Sequence, residues 1–468
     1  MAGELRWRPD GPARGVTRAR SGAGLSPRLA TYVAIVAAWG ACLALNWPGH
    51  FTWDSVMQLA EGRRGLYSGQ HPPVMSWLLG LADAISPGAP LFVAFDATLV
   101  FGALLAFAGL GRGSWIAAAL AILFALAPQL AIYPAIVWKD VLFAGAACAG
   151  FACLAWAGVE WANARRRWLL LAGALALLSL ATLARQNGAV VLPFAASATA
   201  WMAARCGARG APARGIAFVG ASVVVVLAAS LALNARVDGS AGVGEQWEHL
   251  QTYDIVGAMA RDPQVRLRVL KARAPGLDAL LREDGAPAYS PSRIDTLVDP
   301  VFTETDQRPA LAQPVAAQWR ALILRHPLLY LRQRAAAFGW VLLTPKPAEC
   351  VMAETGVDGD PGALAAAGLK ERDTARDQAL ARYAHRFAGT PVYSHAAYGA
   401  AAIVLLIVLL RRRGPADIAV AAMLGAALAF AASFAVISIA CDYRYLYFLD
   451  LSAIAAALYV AARPRPAA

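Results

Sequence analysis

Long apolar segments separated by short polar stretches make up most of this chain. Ten of them approach the length of about twenty residues that a helix needs to cross the hydrocarbon core of a bilayer. They cover residues 29–46, 90–110, 114–133, 141–159, 168–184, 189–204, 216–234, 394–410, 416–438 and 443–462. This pattern predicts an all-α polytopic membrane protein with about ten transmembrane helices.

The composition supports the same class of protein. Hydrophobic residues make up 59% and charged residues 15% of the 468 residues, which is more apolar sequence than a soluble core uses. The formal net charge is +12, but the arginines gather in short clusters between the apolar segments. Such clusters are typical of cytoplasmic membrane loops. We therefore expect membrane lipids around this chain and no nucleic-acid partner.

The arginine clusters also predict an orientation. The clusters at 165–167, 205–214 and 411–413 lie on the same side as the basic tail 1–28 only if the short apolar segment 74–86 does not cross the membrane. We interpret 74–86 as an interfacial or re-entrant helix on the outer face. The tail is then cytoplasmic and the loops 47–89, 134–140, 185–188 and 439–442 are external. The excess of Arg over Lys and the abundance of Ala favour a GC-rich bacterium, and thus its cytoplasmic (inner) membrane.

Composition divides the chain into four regions. The tail 1–28 precedes a transmembrane module over 29–234, and further transmembrane helices occupy 394–468. Residues 235–393 contain most of the Asp, Glu and Gln and 12 of the 27 Pro, and they predict a mainly helical extracytoplasmic segment. Within it, regular cations among apolar residues near 320–343 predict an amphipathic helix on the membrane surface. Arg332 and Arg334 are expected to face lipid headgroups.

The predicted topology brings several polar residues to the outer boundary of the membrane. An acid in this position costs free energy unless it is used. A carboxylate can take a proton from an acceptor hydroxyl, while Lys or Arg can hold a leaving phosphate. Asp442 is also placed to orient a neighbouring guanidinium. The candidate residues are Asp54, His71, Lys139, Asp140, Arg185, Asn187, Tyr443 and Arg444.

Each candidate also has a purely structural alternative. Asp54 suits the cap of a helix, and His71 suits the position before a helix that begins with proline. Lys139 and Asp140 fit a surface ion pair at a helix start. Arg185 fits an anchor that reaches back to the interface, and the same alternative applies to the arginine in the last outer turn.

The order of these residues resembles polytopic glycosyltransferases of the GT-C class that use polyprenyl-phosphate sugars, including protein O-mannosyltransferases and lipid A aminoarabinose transferases. The resemblance rests on Thr52-Trp53-Asp54-Ser55, on His71-Pro72-Pro73, which is similar to the family's basic-Pro-Pro element, and on Trp138-Lys139-Asp140. It covers residues 28–234 in motif and the remainder in architecture.

This resemblance implies an inverting transfer, with Asp54 as the catalytic base and Asp140 as a second acid in the site. The first loop has a single Asp instead of an Asp-x-Asp pair, so assistance by a divalent cation stays an open alternative. No other cofactor is expected.

The sequence thus predicts a membrane glycosyltransferase. It would move a sugar from a polyprenyl-phosphate donor to a glycan, lipid or protein acceptor at the outer face. The alternative is a glycolipid transporter or flippase, in which the same charges line a translocation path. Transporters usually place ionisable residues near mid-membrane and often have duplicated halves. Here the charges stay at the boundaries and the two halves differ, which favours the transferase.

Two of the six cysteines predict a disulfide. Cys350 and Cys441 both lie on the predicted outer side, where oxidation is allowed. Their pairing would tie the segment 235–393 to the last outer turn. Cys42, Cys148 and Cys153 fall in spans and are expected to remain thiols.

Overall fold

The computed structural model describes residues 25–69, 71–206, 209–237, 243–306 and 308–462, so most of the predicted basic tail lies outside the described residues. Within them the secondary structure is helical, with isolated β-bridges and no strand. The helices of the first half are α1 (Pro27–Asn46), α2 (Trp53–Arg64), α3 (Pro73–Ile85), α4 (Pro90–Gly109), α5 (Trp115–Ala125), α6 (Pro128–Ala131), α7 (Lys139–Val159), α8 (Ala164–Ala184), α9 (Val191–Arg205) and α10 (Ala211–Asn234).

The second half contains shorter helices followed by three long ones. They are α11 (Val243–Arg261), α12 (Arg268–Arg273), α13 (Pro275–Leu280), α14 (Ala286–Ala288), α15 (Thr303–Thr305), α16 (Ala312–Arg325), α17 (Pro327–Leu343), α18 (Pro361–Ala366), α19 (Ala375–His385), α20 (His395–Arg412), α21 (Pro415–Ile437) and α22 (Tyr447–Ala461).

Among the described residues, eight helices are long and apolar enough to cross a membrane. The segments Trp115–Ala125 and Pro128–Ala135 pass the same test together but are bent by 76° at the break between them, where Pro128 lacks the N–H that a continuing helix needs. The tenth predicted span corresponds to α9, which has 15 residues. Every predicted span is therefore helical, and the prediction of an all-α polytopic membrane protein is confirmed.

Helix α7 lies at the centre of the bundle, because 83% of its most apolar window is buried, against 11% for α10. Small residues let neighbouring helices approach it closely. Gly150 lies against Leu178 of α8, and Gly158 lies against Met202 of α9. A helix fixed on several sides in this way gives a rigid base for the side chains at its first turn.

The region between α10 and α20 contains a second apolar core, formed by residues such as Tyr253, Leu270 and Leu322. The amphipathic helix predicted near 320–343 is interrupted at His326, and its placement on the membrane surface stays a prediction. Helix α16 ends at Arg325 and α17 begins at Pro327, because the proline ring cannot continue the first helix and restricts the residue before it.

Arg334 also differs from its predicted place at the lipid headgroups. Its side chain is buried, and its Nη1 donates to Asp254 Oδ1 at 2.8 Å. A buried guanidinium needs such a partner, because an unpaired charge in the interior is costly.

Helices α2 and α3 cross with their backbones in contact. A Cβ atom on Gly62 would lie 2.8 Å from Gly80 N, so only glycine fits there. The buried Glu61 carboxylate accepts from Ser68 N–H at 2.9 Å and from the Ser76 hydroxyl at 2.7 Å. These bonds hold the loop that leads to His71.

Cys350 and Cys441 form a disulfide in the structure. Beside it, Tyr443 N–H donates to Val351 O at 3.0 Å, and Cys441 N–H donates to Ser292 O at 2.8 Å. The segment 235–393 is thus attached to the turn that precedes α22.

Candidate functional site

Six of the eight predicted site residues form one connected cluster of side chains at one end of the spanning helices. They come from four separate parts of the chain, which the sequence analysis placed in different outer loops. The six are Asp54, His71, Lys139, Asp140, Arg185 and Arg444.

Asp54 stands in the first turn of α2 but does not cap it. Thr52 is the capping residue, and the Ser55 hydroxyl accepts from Thr52 N–H at 2.7 Å. The structural alternative in which Asp54 serves as the cap is therefore wrong. The Asp54 carboxylate is 36% exposed, the most exposed of the acids in the cluster, and is available to a substrate.

Arg444 lies between three carboxylates. Its Nη2 is 3.1 Å from Asp54 Oδ2 and 3.1 Å from Asp442 Oδ2, and its Nε is 4.0 Å from Asp140 Oδ2. Its guanidinium also lies over the Trp138 ring, 5.3 Å from the centroid. The position expected for Asp442, beside the guanidinium that it orients, is the position that the structure shows.

Lys139 begins α7 and reaches the first loop. Its Nζ lies 3.0 Å from His71 Nδ1, and His71 Nε2 lies 3.7 Å from Asp54 Oδ1. Backbone bonds align the two loops, since His50 N–H donates to Ala135 O at 3.0 Å. Lys139 forms no ion pair with any described carboxylate, so its amino group has room for an anionic partner.

Asp140 and Arg185 form a second, deeper ion pair. The Arg185 side chain is 8% exposed and the Asp140 side chain 2%. The guanidinium also packs on aromatic rings, with Phe434 at 5.5 Å and Tyr445 at 5.7 Å from its carbon. This placement favours a structural and electrostatic role for the pair over direct contact with a substrate.

Two predicted residues lie outside the cluster. Asn187 lies two residues after Arg185, and its Nδ2 donates to the Ser433 hydroxyl at 2.8 Å. Tyr443 is fully buried, and its ring stacks on His395 with the centroids 3.8 Å apart. Tyr443 thus packs into the helical core, while the next residue points to the carboxylates.

Burial and the charges of the cluster determine the protonation states of Asp54 and His71. Burial alone would raise the pKa of Asp54, but Arg444, His71 and Lys139 outweigh it and lower that pKa to about 2. Burial, followed by the charge of Lys139, lowers the pKa of His71 to about 4. At neutral pH Asp54 is ionised and His71 is neutral, so the imidazole can accept a hydrogen bond from Lys139.

Glu354 is a carboxylate near this cluster that sequence reasoning missed. Its segment is held at both ends, through Val351 O to Tyr443 N–H at 3.0 Å and through Gly356 O to Phe51 N–H at 3.0 Å. Burial, with the nearby Asp442 carboxylate opposing Arg444, raises the pKa of Glu354 to about 7. No motif marks it, and only the predicted pairing of Cys350 with Cys441 placed this segment near the site.

The described residues contain no group of three His, Cys, Asp or Glu side chains arranged to hold a metal ion. Asp54, Asp140 and Asp442 all lie against Arg444 instead. Oxygen ligands for a divalent cation would have to exchange these arginine contacts, so the donor set does not fit a resident metal.

No protein-family model matches the chain, and no curated protein matches it. Solved structures that are similar include the oligosaccharyltransferase AglB from Archaeoglobus fulgidus in complex with an inhibitory peptide and a dolichol-phosphate, at 16% identity and a TM-score of 0.39 over 92% of this chain and 50% of that one. Another is the Archaeoglobus fulgidus oligosaccharyltransferase tethered to an acceptor peptide, at 15% identity and a TM-score of 0.40 over 92% and 49%. The chain spans about half the length of these archaeal proteins.

Proposed function

We propose that this protein is a membrane glycosyltransferase that moves a sugar from a polyprenyl-phosphate donor to an acceptor hydroxyl at the outer face of a bacterial inner membrane. The observation that carries the proposal is the cluster around Arg444, in which an ionised, partly exposed acid stands beside two cations. The same cluster contains the residues on which the resemblance to GT-C enzymes rests.

Lys139 and Arg444 are the cations proposed to hold the donor phosphate. Lys139 has a neutral imidazole as its side-chain hydrogen-bond partner among the described residues. Arg444 meets Asp54 at its edge and offers further N–H donors, and a guanidinium can bind a phosphate through two parallel bonds. The apolar tail of the donor would remain in the bilayer.

Asp54 is proposed to receive the acceptor proton. The acceptor oxygen forms a bond to the anomeric carbon as its O–H bond breaks toward Asp54, and the bond from that carbon to the phosphate oxygen breaks with its electron pair. Attack opposite the leaving phosphate inverts the configuration. A carboxylate with a pKa of about 2 is a weak base. A donor phosphate that engages Arg444 and Lys139 would draw their charges away and raise its basicity.

Deep ion pairing at Asp140 supports this division of roles. Asp140 is 2% exposed and lies beside Arg185 and Arg444. We therefore propose that Asp140 fixes the two guanidinium groups and does not exchange protons with the acceptor.

The test is mass spectrometry of envelope glycolipids, polysaccharides and glycoproteins from a deletion strain that carries the wild type or Asp54→Asn. We expect one sugar mass to disappear on deletion and to return only with the wild type. Asp284→Asn, which changes an exposed acid of the outer segment, is the matched control and should restore the sugar. Restoration by Asp54→Asn would remove Asp54 from the mechanism. Accumulation of intact lipid-linked precursors with no missing sugar would favour the transporter.

A further inference from the structure

A groove lies at the break between α16 and α17, and none of its lining residues belongs to the site described above. It encloses about 820 Å³ between this break and the end of α11. Three of its lining residues are arginines, namely Arg261, Arg325 and Arg332, and one, Asp262, is acidic. The groove is thus a cationic concavity.

Most of these cations have no partner in the protein. Arg325, His326 and Arg332 form no side-chain hydrogen bond or ion pair with the residues that the structure describes. The Arg261 Nε donates to Gln333 Oε1 at 3.0 Å, which fixes its guanidinium at the wall of the groove. Asp262 is directed to its own turn, where its Oδ1 accepts from Gln264 N–H at 3.1 Å.

Leucines at the same break are unusually exposed. Leu324 is 81% exposed, Leu328 69% and Leu331 58%. Side chains of this kind next to unpaired arginines are typical of surfaces that lie in the interface of a membrane, where the apolar groups enter the acyl region and the cations stay at the phosphates.

The helix that follows this break also contacts a spanning helix. Arg334, on the same helix, donates from Nε to Ala435 O at 3.1 Å, near the end of the spanning helix α21. Leu328 is six residues before Arg334, a distance of about 9 Å along a helix axis. The groove is therefore within about two helical turns of a contact with α21.

We propose that this groove binds the phosphate headgroup of an anionic phospholipid of the surrounding outer leaflet. Arg325, Arg332 and Arg261 face the phosphate, and the exposed leucines lie among the first carbons of the acyl chains. The groove shares no residue with the cluster around Arg444, so the proposal stands whether or not the protein is a transferase.

The experiment is native mass spectrometry of the purified full-length protein in detergent, with phosphatidylglycerol, phosphatidylcholine or inorganic phosphate added separately. The wild type should retain phosphatidylglycerol more strongly than phosphatidylcholine. The double variant Arg325→Gln/Arg332→Gln should bind phosphatidylglycerol at least about tenfold more weakly, since each basic residue near a membrane surface contributes roughly fivefold. Phosphatidylcholine binding should not change.

The matched control is Arg266→Gln/Arg273→Gln, which removes two exposed arginines of the same outer segment outside the groove. It should bind phosphatidylglycerol like the wild type. Equal lipid binding by the wild type and the groove variant would overturn the proposal, and so would an equal loss in the control. Binding of inorganic phosphate alone with the same sensitivity to the groove variant would assign the groove to a soluble phosphate compound instead.

Discussion

Lys139 Nζ lies 3.0 Å from His71 Nδ1, so a lysine at the start of a spanning helix has a histidine of the loop between α2 and α3 as its hydrogen-bond partner. The pKa of His71 is lowered to about 4 by burial and by Lys139, which keeps the ring neutral. A neutral ring can accept a hydrogen bond from the lysine but supplies no counter-charge to it. No described carboxylate pairs directly with Lys139 either, so we propose this side chain as a ligand of the donor phosphate.

Replacement of this lysine should weaken phosphate binding. In Lys139→Met the chain length is kept and one charge-assisted hydrogen bond is lost, so the affinity for a short-chain polyprenyl phosphate should fall roughly 10- to 150-fold. Isothermal titration calorimetry of the purified protein measures this change. Lys271→Met removes an exposed lysine on α12 and should bind like the wild type. Unchanged affinity in Lys139→Met would assign the phosphate to the arginines alone.

Asp140 and Asp54 should differ sharply in their effect on stability. Asp140→Asn leaves Arg185 buried without its counter-charge, a loss of about 3–5 kcal/mol in comparable buried pairs. Asp54→Asn changes a side chain that is 36% exposed, while Asp442 still pairs with Arg444, so its cost should be under about 1 kcal/mol. Thermal unfolding in detergent compares the two variants.

The double variant Asp140→Asn/Arg185→Gln tests the cause of that difference. Removal of both charges should cost less than the sum of the single changes, because neither partner is then left unpaired. Additive losses would show that the two side chains act independently, contrary to the ion pair seen in the structure.

Glu354 should make phosphate binding depend on pH. Its pKa is raised to about 7, so a negative charge appears near Arg444 as the pH rises through 7. The affinity of the wild type for polyprenyl phosphate should therefore decrease above pH 7 relative to that of Glu354→Gln. Calorimetry of both proteins between pH 5 and 9 gives the difference, with Glu371→Gln as the exposed control.

The same carboxyl should influence stability with a defined sign. Because the folded chain binds this proton more tightly than the unfolded chain, its contribution to the free energy of unfolding falls as the pH rises from 4.5 to about 7. Glu354→Gln should remove that fall. A wild type and a variant with parallel pH profiles would contradict the raised pKa.

Much of the site could be predicted because local sequence patterns indicate membrane topology. The alternation of apolar segments and arginine clusters located the loops, and the loops brought Asp54, Lys139 and Arg444 to one end of the bundle. This sequence pattern could not predict which side chains pair with one another. Whether Arg185 meets a phosphate or Asp140 depends on how α7 and α8 are rotated against each other, which a hydropathy pattern does not contain. The position of Glu354 near the cluster depends on the fold of a long polar segment that has no apolar periodicity.

The break at Pro327 shows a different limit. A repeating pattern of apolar residues and cations predicted one continuous helix, and the local chemistry of proline interrupted it. The buried pair of Arg334 with Asp254 also links residues far apart in the chain. From sequence alone, charged residues in such segments are predicted to lie on the surface, and only the packing of the whole segment shows which of them are buried.

Close contact between α2 and α3 should control the distance between Asp54 and His71. A Cβ atom on Gly62 would lie 2.8 Å from Gly80 N. A backbone atom cannot move aside as the flexible end of a side chain can. Gly62→Ala should therefore push the two helices apart. Asp54 would then move away from His71, whose Nε2 lies 3.7 Å from Asp54 Oδ1. Transfer activity in the complementation assay should fall although every polar side chain of the cluster is retained. Gly40→Ala, at a helical glycine with open space around it, should leave activity unchanged. Full activity of Gly62→Ala would show that the cluster tolerates a shift between these helices, and that the position of Asp54 is set by Arg444 instead.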